Sequence, residues 1–177
     1  TIKHFVCNDF EHERRTVNAI VSERALREVY FKPFQIALKT SNPFALMSSY
    51  NRVNGVHVSQ SSHLLIDILR NEWNYQGTVT SDWFGTYNLQ ESIKYGVDLE
   101  MPGKPLVRDK KQIIDGVITK EISLRDLDDR VRNVIKLVYR TRASDIPENA
   151  IEDASNNTKE TSEFLRRLAN EGTVLLK

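Results

Sequence analysis

The chain has a single cysteine among its 177 residues, Cys7. An intrachain disulfide is therefore excluded, and no His/Cys set shows the spacing of a zinc site. The compartment stays open, because large secreted enzymes also do without disulfides. Charge excess is lacking too: 25 Lys and Arg stand against 24 Asp and Glu, a net charge of +1. Such a balance gives no strong pull toward nucleic acid or a membrane surface. There is no apolar run long enough to cross a bilayer, no Gly-rich phosphate loop and no G-x-S-x-G elbow. Neither a repeat nor a low-complexity tract is present. Nothing here calls for a cofactor or a metal.

What is present is ordinary globular material, 40% hydrophobic and 28% charged, enough for one domain with a real core. The chain opens on "TIKHFVCN", without Met or a signal peptide, and stops at "EGTVLLK", inside what reads as a strand. Such ends are expected of a segment of a longer polypeptide.

Apolar and polar residues mix over 2–7, which reads as a strand, and "NDFEHERR" follows as a loop. Leu26, Val29, Tyr30, Phe34 and Ala37 lie on one helical face over 22–39, with Pro33 expected to kink or split the helix. "FALMSSY" (44–50) is the next strand, and "NRVNGVHVSQ" a loop turning at Asn54-Gly55. A helix over 61–73 turns Leu64, Leu65, Ile68 and Leu69 inward. Strand 77–82, helix 86–96, strand 97–101 and helix 108–119 come next. Ser123 opens a further helix with a Ser-x-x-Asp capping pattern and a stripe of Leu127, Val131, Val134 and Val138. After Arg142 the chain turns polar and aperiodic, a linker. A short helix with Phe164, Leu165 and Leu168 and the strand "TVLLK" close it.

Strand and helix thus alternate four times, which implies a parallel sheet with helical crossovers in an α/β fold. Four units make half of a (β/α)8 TIM-type barrel of about 250 residues; a small doubly wound sheet is the competing reading. The chain ends favour the half barrel. Polar residues gather at the C-terminal ends of the candidate strands: Lys3, His4 and Asn8; Tyr50 and Asn51; Asp82 and Trp83; and Glu100. That end carries the active site in α/β barrels. Each residue alone has a plainer explanation. Asp82 could cap a helix or turn a loop, His4 could be a hydrogen-bonded core histidine, Tyr50, Trp83 and Met47 could be packing, and Cys7 a small buried hydrophobe. Arg14-Arg15 and Lys110-Lys111 read as solvated charges. The coincidence at one barrel end is what favours a site.

Four motifs, "KHFVCND", "MSSYNRVNG", "SDWFGT" and "GVDLEMPG", resemble in order and spacing those of glycoside hydrolase family 3, and within it the fungal and yeast β-glucosidases. The resemblance runs to "NEGTVLLK", similar to the entry of that family's second domain. It implies a (β/α)8-type barrel followed by an α/β sandwich, with residues 1–142 the C-terminal half of the barrel, 143–168 linker and short helix, and 169–177 the start of the sandwich. It implies Asp82 as the nucleophile of a retaining β-glucosidase that releases terminal glucose from β-glucosides such as cellobiose. Lys3 and His4 match a pair that binds glucose hydroxyls. Met47 and Tyr50 match the Met-x-x-Tyr segment, with Tyr50 beside the nucleophile. Trp83 matches an aromatic wall for the sugar. Asn8, Arg14 and Glu100 carry over no role. The family's sugar-binding Asp and Arg, and its acid/base Glu, are expected outside this chain, so the isolated chain is expected to be a non-catalytic half barrel, marginal or aggregation-prone through its open sheet edges. Family β-xylosidases and β-N-acetylhexosaminidases are weaker matches; the latter carry Pro-Gly where this chain continues "KHF" with "VCND". The sequon Asn156-Asn157-Thr158 leans toward a secreted or cell-wall setting and leaves the compartment open.

Overall fold

The computed structural model describes residues 1–142, 147, 149 and 157–176. The chain divides into two compact units, Thr1–Ala143 and Ser144–Lys177.

The first unit is α/β. Its main sheet has three parallel strands, β1 (Ile2–Phe5), β3 (Ala45–Ser48) and β6 (Thr78–Ser81), in the order β1-β3-β6. Between β1 and β3 run β2 (Asn18–Ala19), α1 (Glu23–Ala25), a π turn (Leu26–Tyr30) and α2 (Lys32–Ser41). Between β3 and β6 come β4 (Arg52–Val53), β5 (Val56–His57), a 3-10 turn (Val58–Gln60) and a π-helix (His63–Glu72). After β6 follow α3 (Leu89–Lys94), α4 (Lys110–Ile118) and α5 (Leu124–Thr141).

The helix over 22–39 is split, one of the two outcomes expected at Pro33, and two other segments differ in detail from the sequence expectation. Ser22 caps α1, Phe31 N–H reaches back five residues to Leu26 O at 2.7 Å, and Pro33 sits in the first turn of α2, where its missing N–H removes no helical bond. The fourth strand, 97–101, forms only one parallel bridge, Leu99 to Thr80. Here a side chain takes one ladder position: the Asp98 carboxylate accepts from Val79 N–H at 2.7 Å, while Asp98 and Leu99 both donate to Val79 O and Ser81 N–H donates to Leu99 O at 2.9 Å. Finally, the region 51–60 is a hairpin rather than a loop. Asn54 and Gly55 have φ of 50° and 94°, the left-handed pair of a tight hairpin turn, between antiparallel β4 and β5. With β2 alongside β4 these form a second small sheet, β2-β4-β5.

One face of the main sheet carries the core. Phe5, Leu46 and Val79 pack on Leu64, Leu65, Ile68 and Leu69 of the π-helix, as its periodicity predicts. Phe5 meets the Phe34 ring edge-on at 5.1 Å, and Phe31 meets Trp73 at 5.2 Å. Ile2 and Phe5 both join this cluster although they are three residues apart. Period-2 alternation forbids that in a regular strand; the register shift between them permits it. Lys3 and His4 are thereby turned away from the core. A second cluster joins Leu89, Ile93 and Ile122. Ser123 opens α5 as expected, its Oγ accepting from Asp126 N–H at 3.4 Å.

In the second unit α6 (Lys159–Gly172) starts at Thr158, whose Oγ1 accepts from Thr161 N–H at 3.1 Å. Residues 173–176, expected to begin a strand, adopt no regular element. Most of the expected linker, and Asn156 of the sequon, lie outside the described residues.

Candidate functional site

Asp82 follows β6 directly. Its N–H donates to Ser48 O at 3.2 Å and its C=O accepts from Gly85 N–H at 2.9 Å, so sheet and turn fix the backbone on both sides. The side chain is 13% exposed. Oδ1 accepts from Trp83 N–H at 2.7 Å, and Oδ2 lies 3.4 Å from His4 Nε2. Asp82 is therefore not a helix cap; the next helix, α3, is capped by Asn88, whose Oδ1 accepts from Glu91 N–H. Nor is His4 a core residue, for it is half-buried and faces the carboxylate. Ser81 ties the turn to the following strand end: its Oγ accepts from Met101 N–H at 2.9 Å.

Tyr50 stands just past the end of β3 and is buried, 4% exposed. Burial first, and then the charge of neighbouring Asp82, hold its hydroxyl pKa above the ordinary value. Trp83 is 55% exposed and Phe84 40%, so neither ring is core. Phe84 has φ of 62°, the left-handed region that turns its N–H to Met101 O at 2.9 Å. Close packing at Gly85 leaves no room for a side chain without a shift: a Cβ there would stand 3.1 Å from Asp82 O and 3.3 Å from the Tyr50 ring. Met47, half-buried, pairs with Thr80 on the sheet face opposite the apolar core. Lys3 is exposed, and with His4 lines a cleft of about 450 Å³ bounded by Cys7, Asn8, Tyr30 and Phe34. His4, Tyr50, Asp82 and Trp83 are thus brought together; Met47 lies on the sheet face opposite the core, and Lys3 lines the cleft beside α2.

Arg14 and Arg15 are exposed, as expected of solvated charges, and also lie over the Tyr50 ring at 4.9 and 5.3 Å; Arg15 is 5.7 Å from the Phe84 ring. Glu100, at the end of the following strand, is buried, and its carboxylate accepts from the backbone N–H groups of Leu106, Val107 and Arg108. These three bonds tie it to the 101–108 loop. Asp98 is likewise structural, 2.8 Å from Arg70 and 3.3 Å from Arg130. Cys7 is buried, and desolvation pushes its thiol up to about 12, which makes it an inert hydrophobe as expected.

The sequence reading missed Arg15, His57 and Tyr87. His57 and Tyr87 stack with ring centroids 3.8 Å apart behind Tyr50. The signal available was only their closeness in sequence to the motifs.

Among the described residues no group of three or more His, Cys, Asp and Glu is placed to hold a metal, and no helix is long and apolar enough to cross a membrane.

The model of the glycosyl hydrolase family 3 N-terminal domain matches residues 1–137. The chain belongs to glycosyl hydrolase family 3. A β-glucosidase from Kluyveromyces marxianus is 50% identical over the whole of this chain, and a putative β-glucosidase from Schizosaccharomyces pombe is 53% identical over 99% of it. The chain spans 22% and 21% of those proteins' lengths. The crystal structure of the Kluyveromyces enzyme in complex with glucose superposes with a TM-score of 0.87, covering 100% of this chain and 22% of that one. A family 3 β-glucosidase from Bifidobacterium adolescentis, 38% identical, gives 0.80 over 100% of this chain and 25% of that one. The family fold thus settles the choice left open by the alternation of strands and helices. The parallel strands β1, β3 and β6 belong to a TIM-type barrel, not to a doubly wound sheet.

Proposed function

We propose that this chain is the nucleophile-bearing part of a retaining β-glucosidase, with residues 1–142 the C-terminal half of its barrel. The observation that carries the reading is Asp82. Its carboxylate is fixed at a strand end by one backbone N–H, borders a histidine at 3.4 Å and stands next to an exposed tryptophan ring. In the reaction an Asp82 oxygen bonds to the anomeric carbon as the glycosidic C–O bond breaks. The leaving oxygen takes its proton from a carboxylic acid on the opposite face, about 5–5.5 Å from the nucleophile in retaining enzymes. Water, deprotonated by the same group, then releases glucose. Lys3 and His4 bind sugar hydroxyls, Met47 lines the floor, Tyr50 stays beside the nucleophile and Trp83 walls the ring. Support comes from the family, from the named relatives and from the glucose complex of the Kluyveromyces enzyme.

The acid/base is supplied from elsewhere in the full-length polypeptide. Glu100 is set aside by its three amide bonds. The isolated chain accordingly has no turnover and at most weak sugar binding; measurable turnover by it would refute this part. Full-length protein should hydrolyse a nitrophenyl β-glucoside and release glucose from cellobiose. Asp82→Asn that keeps activity within a few fold would sink the assignment, since a covalent nucleophile is replaced.

A further inference from the structure

Tyr50 is placed where the sheet no longer holds it. β3 ends at Ser48, and the Tyr50 carbonyl has no ladder partner. Two side chains take that role. His57 Nδ1 is 2.9 Å from Tyr50 O, and Tyr87 Oη donates to the same oxygen at 3.2 Å. The tautomer follows from the third contact. Arg52 Nε–H donates to His57 Nε2 at 3.2 Å, so Nε2 is the acceptor and Nδ1 carries the proton that Tyr50 O receives. The two rings stack at 3.8 Å with planes 27° apart, which aligns both donors on one oxygen. His57 belongs to the small hairpin β4–β5, and Tyr87 to the segment that leaves the Asp82 turn. One oxygen therefore joins the hairpin, the Tyr50 segment and the nucleophile turn.

We propose that His57 and Tyr87 are positioning residues, a two-donor clamp on the Tyr50 carbonyl that holds the Tyr50 ring against Asp82. The small sheet β2-β4-β5 is then the rigid support of that clamp. Neither residue touches the sugar; both act through Tyr50. The kinetic part of this inference rests on the β-glucosidase reading above.

The experiment uses the full-length protein. Wild-type turnover of a nitrophenyl β-glucoside is measured first, because its absence overturns the activity reading and not the clamp. His57→Phe keeps the stack on Tyr87 but cannot donate. It should lower kcat about tenfold, since a 1 Å misplacement near reacting atoms can cost up to about a hundredfold, with KM changed less than about threefold. His57→Asn restores a donor near the Nδ1 position and should recover kcat to within about threefold of wild type. Tyr87→Phe removes the second bond, and the pair His57→Phe/Tyr87→Phe should lose more than either alone. Equal impairment of the Phe and Asn variants at His57, or unchanged kcat in the double variant, overturns the clamp. So does a loss of kcat that follows only the unfolded fraction in a thermal scan. Crystal structures of wild type and double variant test the geometry whether or not the enzyme turns over. A Tyr50 hydroxyl displaced from Asp82 by about 1 Å or more supports the clamp, and an unmoved one overturns it.

Discussion

Two neighbouring strand ends each present a carboxylate, and they have opposite fates. Asp82 after β6 has one amide bond to Oδ1, and its Oδ2 looks toward His4. Glu100 after the next strand has both oxygens occupied by three amides of one loop. A barrel-end position alone therefore does not leave a carboxylate open. What separates the two is how many of their lone pairs the fold has already used. The loop around Glu100 closes on it; the turn after Asp82 carries its two large rings, Trp83 and Phe84, outward.

The sharpest way to break this comparison is to exchange the two effects. In the full-length protein Asp82→Asn should lower kcat by about a thousandfold or more with little change in thermal midpoint, as expected of a residue that acts in the transition state. Asp98→Ala, two residues before Glu100, should do the reverse. It leaves Arg70 and Arg130 buried without their partner, and denaturant unfolding should show a loss of about 3–5 kcal/mol. Glu100→Gln should cost about 1–3 kcal/mol in the same assay, because a neutral amide oxygen replaces a carboxylate that served three donors. Activity of the folded fraction should stay within a few fold. A specific kcat collapse in Glu100→Gln would erase the distinction drawn between the two carboxylates.

A smaller effect should follow from Trp83→Ala. The exposed ring contributes little to the core, so stability should change by less than about 0.5 kcal/mol, while KM for an aryl β-glucoside should rise about tenfold through loss of apolar contact. The smallest is a pH effect on stability. Burial first, and then the Arg52 charge, hold the His57 pKa below its ordinary value. The unfolded chain therefore binds this proton at a higher pH than the folded one. Stability from this group is complete above about pH 6.5 and is lost as pH falls through the lowered folded value. His57→Asn should flatten that limb in urea midpoints measured between about pH 5 and 7.

Much of the fold was legible because it rests on periodicity. Leu64, Leu65, Ile68 and Leu69 repeat as a helix face and pack as one, and Asn54-Gly55 is a turn by its own backbone preference. The 97–101 strand pairs with β6 as expected but is short, because the Asp98 side chain takes the Val79 N–H, a contact that no local pattern encodes. Arg14 and Arg15 are exposed as expected, but their place over Tyr50 was not legible, because a contact some 35 residues away in sequence leaves no trace in composition.

The sequence by itself determined the alternation of strand and helix, the four motifs and the placing of Asp82 at a strand end, since these depend on residue type and short-range spacing. Only the tertiary structure decided which strand-end carboxylate stays open, because hydrogen-bond saturation depends on loops that close through space. It alone showed Tyr50 held by His57 and Tyr87, for those three meet on a single oxygen from three separate segments of the chain.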